Sequence, residues 1–271
     1  MSSPDELLRK TRDARGVITL ILNRPAEFNA LSEAMLGALQ TALDEVAADD
    51  EARVVVLAAA GAAFCAGHDL KQMMAEPSLG YYQQLFAQCS RVMSTIQRLP
   101  VPVIAKVQGM ATAAGCQLVA QCDLAVASTE ARFGVSGVKL GLFCSTPSVP
   151  LVRNMAAKHA MEMLLTGDFI SAPQALERAL VNRVAAPETV DDEVESFIAS
   201  ILAKPRVAIA LGKALFYRQR ELGTDAAYQL AGQTMAVNMI DPAAQEGVRA
   251  FIEKRKPTWG AALGAPAGKS L

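Results

Sequence analysis

Two almost wholly apolar runs, VVVLAA (54–59) and VIAKV (103–107), each lead into a turn of tiny side chains and then into a helix start. The turns read GAAFCAGHDL (61–70) and GMATAAGCQL (109–118). A strand that is apolar at nearly every position is buried on both faces, and such strands belong to parallel sheets covered by helices. The rest of the first half agrees. VITLILN (17–23) reads as a strand stopped by Arg24-Pro25, and Ser32 opens a helix over 33–48 with Leu36, Leu39, Leu43 and Val46 at helical spacing. Asp69 opens a short helix, a longer one spans 81–98 before Pro100 and Pro102, a further helix covers 115–121, and DLAVAS (123–128) is another strand. Strand–turn–helix units in succession predict an α/β domain with parallel strands.

After residue 149 the pattern turns helical, over 149–154, 156–165, 172–180, 190–203, 206–222, 225–240 and 242–254, with a last short strand at Val184. The final three helices begin at Pro205-Arg206, Thr224-Asp225 and Asp241-Pro242, and their wide apolar faces have no sheet left to cover. Such a tail packs on its own domain or on a neighbouring subunit, so an oligomer is expected. The chain divides into a core at 1–200 and a C-terminal helical oligomerisation region at 201–271.

The chain has 271 residues, 52% apolar, with a net charge of −1. No basic stripe marks a nucleic-acid partner, and no apolar run reaches the ~20 residues that span a bilayer. The polar start, MSSPDELLRKTRDARG, has no apolar signal core, which predicts a cytoplasmic protein. Five cysteines in mostly apolar runs read as buried free thiols, and the two histidines, His68 and His159, are too far apart in sequence to suggest a metal site. There is no GxxxxGK[ST], no GxGxxG after a strand and no GxSxG elbow.

The small-residue turns admit two readings. The first amides of a helix lack internal partners and sit at its positive end. Two such amides converging from neighbouring turns would cradle an oxygen that gains negative charge. Alternatively, Ala and Gly there allow close packing of helix on strand.

The chain resembles the enoyl-CoA hydratase/isomerase (crotonase) family over nearly its full length. The matching segments are NRPAEFNALS (23–32), FCAGHDLKQM (64–73), PVPVIAKVQGMATAAGCQLVAQCDLAVAS (100–128), FGVSGVKLGL (133–142) and EGVRAFIEKRKPTW (246–259). The resemblance implies an α/β crotonase (ClpP-like) superhelix of ββα units, with C-terminal trimerisation helices and a homotrimer or dimer of trimers. It implies an acyl-CoA thioester as ligand, with coenzyme A part of the substrate rather than a separate cofactor. The hole amides would be those of His68 and Ala114. Glu27, Phe28, Ala30 and Leu31, with Ala66, His68, Asp69 and Leu70, would line the path of adenine and pantetheine, and Lys254 with Arg255 would meet phosphate across a subunit boundary.

Hydratases of this family place two glutamates beside the double bond. The corresponding residues here are Gln117 and Gly137. An amide is not a usable base, and a positioned acid or base is worth ~10²–10⁴ in rate, so ordinary hydration is expected to be weak. His68, Cys144 and Ser145 are the side chains that could stand in. Their alternatives are packing for His68 and a helix cap leading to Pro147 for the FCST stretch (143–146). Two functions remain open: an enzyme of the lyase or isomerase kind acting on an acyl-CoA through the oxyanion hole, as in fatty-acid metabolism, and an acyl-CoA binding protein without efficient turnover.

Overall fold

The computed structural model describes residues 7–75 and 77–259. Residues 1–6 and 260–271, the outer ends of the polar start and of the expected C-terminal region, lie outside the described residues. Among the described residues ten strands form two sheets. β1 (Leu8–Arg12), β2 (Val17–Leu22), β3 (Val54–Ala59), β5 (Val103–Val107), β7 (Leu124–Ser128) and β10 (Arg183–Ala185) lie side by side in that order. All neighbours run parallel except β1, which is antiparallel to β2. The second sheet has the order β4 (Ala63–Cys65), β6 (Met110–Thr112), β8 (Arg132–Gly134), β9 (Ile170–Ser171).

The apolar runs are explained by what covers each face. Val55 and Leu57 of β3 enter one core with Leu36, Leu39 and Leu43 of α1 (Glu33–Ala48) and Val92 and Ile96 of α3 (Leu79–Arg98). Val54 and Val56 enter another with Val190, Val194 and Ile198 of α8 (Val190–Leu202). Alternate side chains therefore meet different helices, and neither face can carry a polar residue.

Each of β3, β5 and β7 continues into a short strand of the second sheet and then into helix. β3 and β4 lead to α2 (Leu70–Ala75) and α3, β5 and β6 to α4 (Ala114–Gln121), and β7 and β8 to a 3₁₀ turn at Ser136–Leu140 and α5 (Ser145–Asn154). This is the expected spiral of ββα units. The second sheet is the part that sequence patterning did not resolve, since strands of two or three residues show no period. β1 was also missed. It lies at a sheet edge with four of its five residues exposed, and LRKTR has no apolar alternation.

The helices α6 (Ala157–Thr166), α7 (Ala172–Glu177), α9 (Arg206–Gln219), α10 (Thr224–Ile240) and α11 (Pro242–Ile252) complete the chain. α9 is fastened to the core at its start, where Arg206 Nε donates to Ala52 O at 3.2 Å, and through a buried cluster further along. The Lys213 ammonium donates to Ile96 O and Val101 O, both at 2.9 Å, and to Asp123 Oδ2 at 2.6 Å, while Tyr217 OH donates to Asp123 Oδ1 at 2.8 Å. Asp123 also accepts the Val103 amide at 2.7 Å, so its carboxylate joins β5 to the C-terminal helices and its role is structural. Large apolar side chains of α10 and α11 stay exposed, Tyr228 at 76% and Phe251 at 85% among them. Among the described residues no helix is long and apolar enough to cross a membrane.

Removing one partner of a buried ion pair strands the other charge, at a cost of about 3–5 kcal/mol. Lys213→Met is expected to lower the thermal midpoint by several degrees and to loosen α9, read by calorimetry and by amide exchange over 206–219. An unchanged midpoint would show that the tether contributes nothing.

Candidate active site

A cavity of about 840 Å³ opens between the 24–30 segment, α2, the β6–α4 turn and the 136–147 segment. Its walls bring together most of the residues singled out from sequence: Glu27, Phe28, Ala30, Ala66, His68, Asp69 and Leu70 on one side, and Ala114, Gly137, Cys144 and Ser145 on the other. Gln117 and Leu31 do not line it. Gln117 is 3% exposed, one turn into α4, and Leu31 is 1% exposed.

The two small-residue turns meet here. Gly67 has φ +90°, and a Cβ placed on it would lie 2.9 Å from Ala113 Cβ and 3.2 Å from the Ala114 nitrogen. Any side chain at 67 would therefore separate the two turns. Ala113 caps α4 with φ 50° and ψ −120°, outside the ordinary regions for a residue with a Cβ, and its amide is held by Gly134 O at 2.9 Å. Ala114 is the first residue of α4, so its amide has no helical acceptor. On the other turn, Leu31 N–H donates to Gly67 O at 2.7 Å within a parallel bridge between Leu31 and His68. That register turns the His68 amide away from Leu31. Not every small residue faces the cavity. A Cβ at Gly115 would overlap Cys65 O, so that glycine serves backbone packing.

The remaining candidates differ in space, bonding and burial. Gly137 is not simply an empty position, because a Cβ there would collide with Leu142 O and sit 2.8 Å from Cys144 Sγ. Cys144 Sγ accepts the Gly137 amide at 3.3 Å, and burial pushes its thiol pKa up. Neither Cys144 nor Ser145 caps α5 with its side chain, and Ser145 Oγ donates to Phe143 O at 3.3 Å. The His68 ring packs edge-on against Phe86 at 5.4 Å, and both ring nitrogens are buried without a hydrogen bond of ordinary geometry. Burial pushes its pKa down, the Leu31 backbone offsetting part of the shift. Gln117 Oε1 is likewise buried and unpartnered. His159, on α6, lies at the surface 3.8 Å from Glu162.

The 24–31 wall is shaped by a residue that sequence reasoning passed over. Asn29 is fully buried at φ 55°, accepts the Arg24 amide at 2.8 Å, and donates to Ala60 O and Ala63 O at 2.8 and 2.9 Å. The N-G-free stretch EFNA gave no turn signal for it. Arg24 is bonded to Asp69 Oδ2 and Ala30 O, and Asp69 Oδ1 accepts the Gln72 amide as the cap of α2. Glu27 and Asp69 are the carboxylates in the cavity wall among the described residues. A second feature missed from sequence is a hydroxyl pair, Thr112 Oγ1 and Ser136 Oγ, 3.2 Å apart and both in the wall. Lys254 follows α11 at φ 54° and does not line the cavity of its own chain, and Arg255 is bonded to Glu246 and Glu253.

A ββα spiral with a cavity where two small-residue turns meet, lined by His68 and Ala114, defines the class. The model of the enoyl-CoA hydratase/isomerase family matches residues 12–262. The chain is 43% identical over 252 residues to rat enoyl-CoA hydratase domain-containing protein 3, named as mitochondrial, covering 93% of this chain and 84% of that protein. The crystal structure of an enoyl-CoA hydratase of Mycobacterium smegmatis superposes with a TM-score of 0.92 at 63% identity, covering 93% of this chain and 98% of that one. Human enoyl-CoA hydratase domain-containing protein 3 gives 0.89 at 42%, covering 93% and 100%. The chain belongs to the enoyl-CoA hydratase/isomerase family and has the crotonase fold.

Two measurements follow from this geometry. His68 is held neutral by burial, so the unfolded chain takes up its proton first as pH falls below about 6.5. Stability should drop between there and the lower folded pKa, and His68→Gln should flatten that part of the curve of midpoint against pH. An identical curve would mean the ring is not held neutral. Gly137→Ala should cost about 1–3 kcal/mol through overpacking, read by thermal unfolding; a neutral change would show that the 136–144 segment yields freely.

Proposed function

We propose that this protein binds a coenzyme A thioester and stabilises its enolate through the backbone amides of His68 and Ala114. The observation that carries the reading is the approach of the Gly67 turn to the Ala114 nitrogen, with a strained Ala113 maintaining it. Preorganised amides aimed at a developing oxyanion contribute about 2.7–4 kcal/mol each to the transition state. The 24–31 wall and α2 take the nucleotide and pantetheine, and Lys254 of a neighbouring subunit meets phosphate. The exposed apolar side chains of α10 and α11 favour a homotrimer or dimer of trimers. The protein is cytoplasmic and works in acyl-CoA metabolism.

Ordinary hydration is not its efficient reaction. Residues 117 and 137 supply no carboxylate, and the room that a side chain at 137 would need is filled by Leu142 O and Cys144. A second reading, binding without efficient turnover, is favoured by a specific observation. Two of the three candidate substitute groups are sequestered: the His68 nitrogens have no open surface, and the Cys144 thiol is bonded to Gly137, while the exposed Ser145 Oγ donates to Phe143 O.

Calorimetry with a panel of acyl-CoAs should show binding that weakens in Lys254→Ala, and absence of binding to every thioester would remove both readings. Crotonyl-CoA hydration is expected well below the ~10 s⁻¹ of an ordinary enzyme; steady turnover at that rate sinks the assignment. Ala114→Val, checked for folding by circular dichroism, should lose thioester binding or turnover heavily. A folded variant that behaves normally would show that the small residues serve packing alone.

A further inference from the structure

The Gly67 carbonyl and the His68 N–H belong to one peptide unit. Such a unit is planar and trans, so its N–H points opposite to its C=O. Leu31 N–H holds Gly67 O at 2.7 Å, and the His68 N–H is thereby sent away from the 24–31 segment. Gly67 does not enforce this by itself. Without a Cβ it tolerates conformations that other residues avoid. The glycine that lets the two turns approach therefore leaves the next peptide unit free to turn. The aim of the His68 amide is only as firm as the place of Leu31.

That place is fixed by two side chains. Asn29 ties the 24–31 segment to Ala60 O and Ala63 O, ahead of His68 in the chain. Arg24 supplies the tie beyond it. Its Nη1 and Nη2 lie 3.3 and 3.4 Å from Asp69 Oδ2, and Nη1 also donates to Ala30 O at 3.3 Å. Glu27 Oε2 lies 3.8 Å from its Nε, and Ala30 O accepts the Ser32 amide as well. Ala30 O and Leu31 N–H again share one peptide unit. The hydrogen bonds thus run in series, from the Arg24 guanidinium to Ala30 O, and from Leu31 N–H to Gly67 O, ending at the free His68 N–H.

A series of this kind acts in two ways. It fixes direction, and its positive end polarises each unit along it. Polarisation strengthens a bond by only about 10–30%, whereas an amide turned aside donates nothing, so direction is the larger effect. Asp69 holds the guanidinium in register. It is also the residue next to His68, which closes the frame around the 67–68 peptide.

We infer that Arg24, held by Asp69, is a positioning residue for the oxyanion hole, acting on the His68 amide through the Ala30–Leu31 and Gly67–His68 peptides. This rests on the proposed binding of a thioester through that amide, and it assigns Arg24 an action on the hole rather than on the ligand.

The test reads the thioester carbonyl directly. Acetyl-, butyryl- and octanoyl-CoA carrying ¹³C at the thioester carbon are screened, and the tightest binder is studied at saturation by isotope-edited infrared spectroscopy. In the native protein its carbonyl band should move to lower frequency than in water. Arg24→Gln should lose about half of that displacement, one donor of the two. Asp69→Asn keeps a side chain able to cap α2 and should shift the band in the same direction as Arg24→Gln. The double variant should lose no more than Arg24→Gln alone, since the two act as a unit. A purely structural pair would lower the thermal midpoint and leave the band of bound ligand in place. Circular dichroism checks folding, and Asp69→Asn carries the test if Arg24→Gln does not fold. A displaced native band that both variants keep overturns the inference. So does weaker binding with the native band position, which would show that Arg24 meets the ligand itself. An undisplaced band in the native protein, or failure of all three thioesters to bind, instead overturns the proposed function, and the positioning role with it.

Discussion

The approach of one bare backbone to another, at Gly67 and the Ala113–Ala114 turn, governs the site. An amide can donate to a ligand only where no side chain stands in front of it and no internal acceptor takes it first. The start of α4 provides the second condition for Ala114 without further help. The first must be built, and it is built from a positive-φ glycine on one turn and from an alanine held at φ 50° on the other. A backbone in such a region costs of order 1–3 kcal/mol and persists only when its surroundings over-determine it. Here the determinants are the Ala113 amide on Gly134 O and the contact of Gly115 with Cys65 O. Backbone packing at Gly115 and the open approach at Gly67 are therefore properties of different small residues in the same turns, so the packing reading does not exclude the other.

How far the sequence disclosed this depends on the range of the interaction. The long strands and helices carry their own period, and α1 and β3 fall where apolar spacing puts them. The second sheet does not. β4, β6, β8 and β9 hold two or three residues each and are paired by the path of the chain. For the same reason the Thr112–Ser136 pair escaped notice, since it joins residues 24 apart that only the ββα spiral brings together. Asn29 was hidden because an asparagine at positive φ is unremarkable in sequence, and what distinguishes it is the set of three backbone partners it reaches. The two turns were legible because tiny side chains are themselves a signal of close backbone approach. Whether Gln117 reaches the ligand was not legible, because that is a question of depth along a helix.

The residues at 117 and 137 leave out a carboxylate for different physical reasons. A carboxylate at 117 would be buried at the level of Gln117, and the wall supplies no uncommitted cation from α4 or the 136–147 segment. Its neutral form would then be favoured. Gln117 keeps the shape and the hydrogen-bonding capacity of that group without the charge. At 137 the replacement is steric: Leu142 O and Cys144 Sγ take the space, and the thiol, its pKa raised by burial, is a neutral filler bonded to the Gly137 amide. Both changes act in the same direction. They leave positions 117 and 137 uncharged, the charges of the cavity wall being those of Arg24, Glu27, Asp69 and Lys71, and under the proposed reading the Ala114 and His68 amides are the dipoles a thioester oxygen would meet. In low dielectric such dipoles act more strongly than in water. A neighbouring carboxylate would oppose them, since it repels the oxyanion that they stabilise. The absence of the two carboxylates thus removes proton transfer partners and at the same time removes the nearest source of repulsion for an enolate. Under the proposed reading, a site arranged this way is better matched to holding and polarising the carbonyl than to moving protons on either side of it.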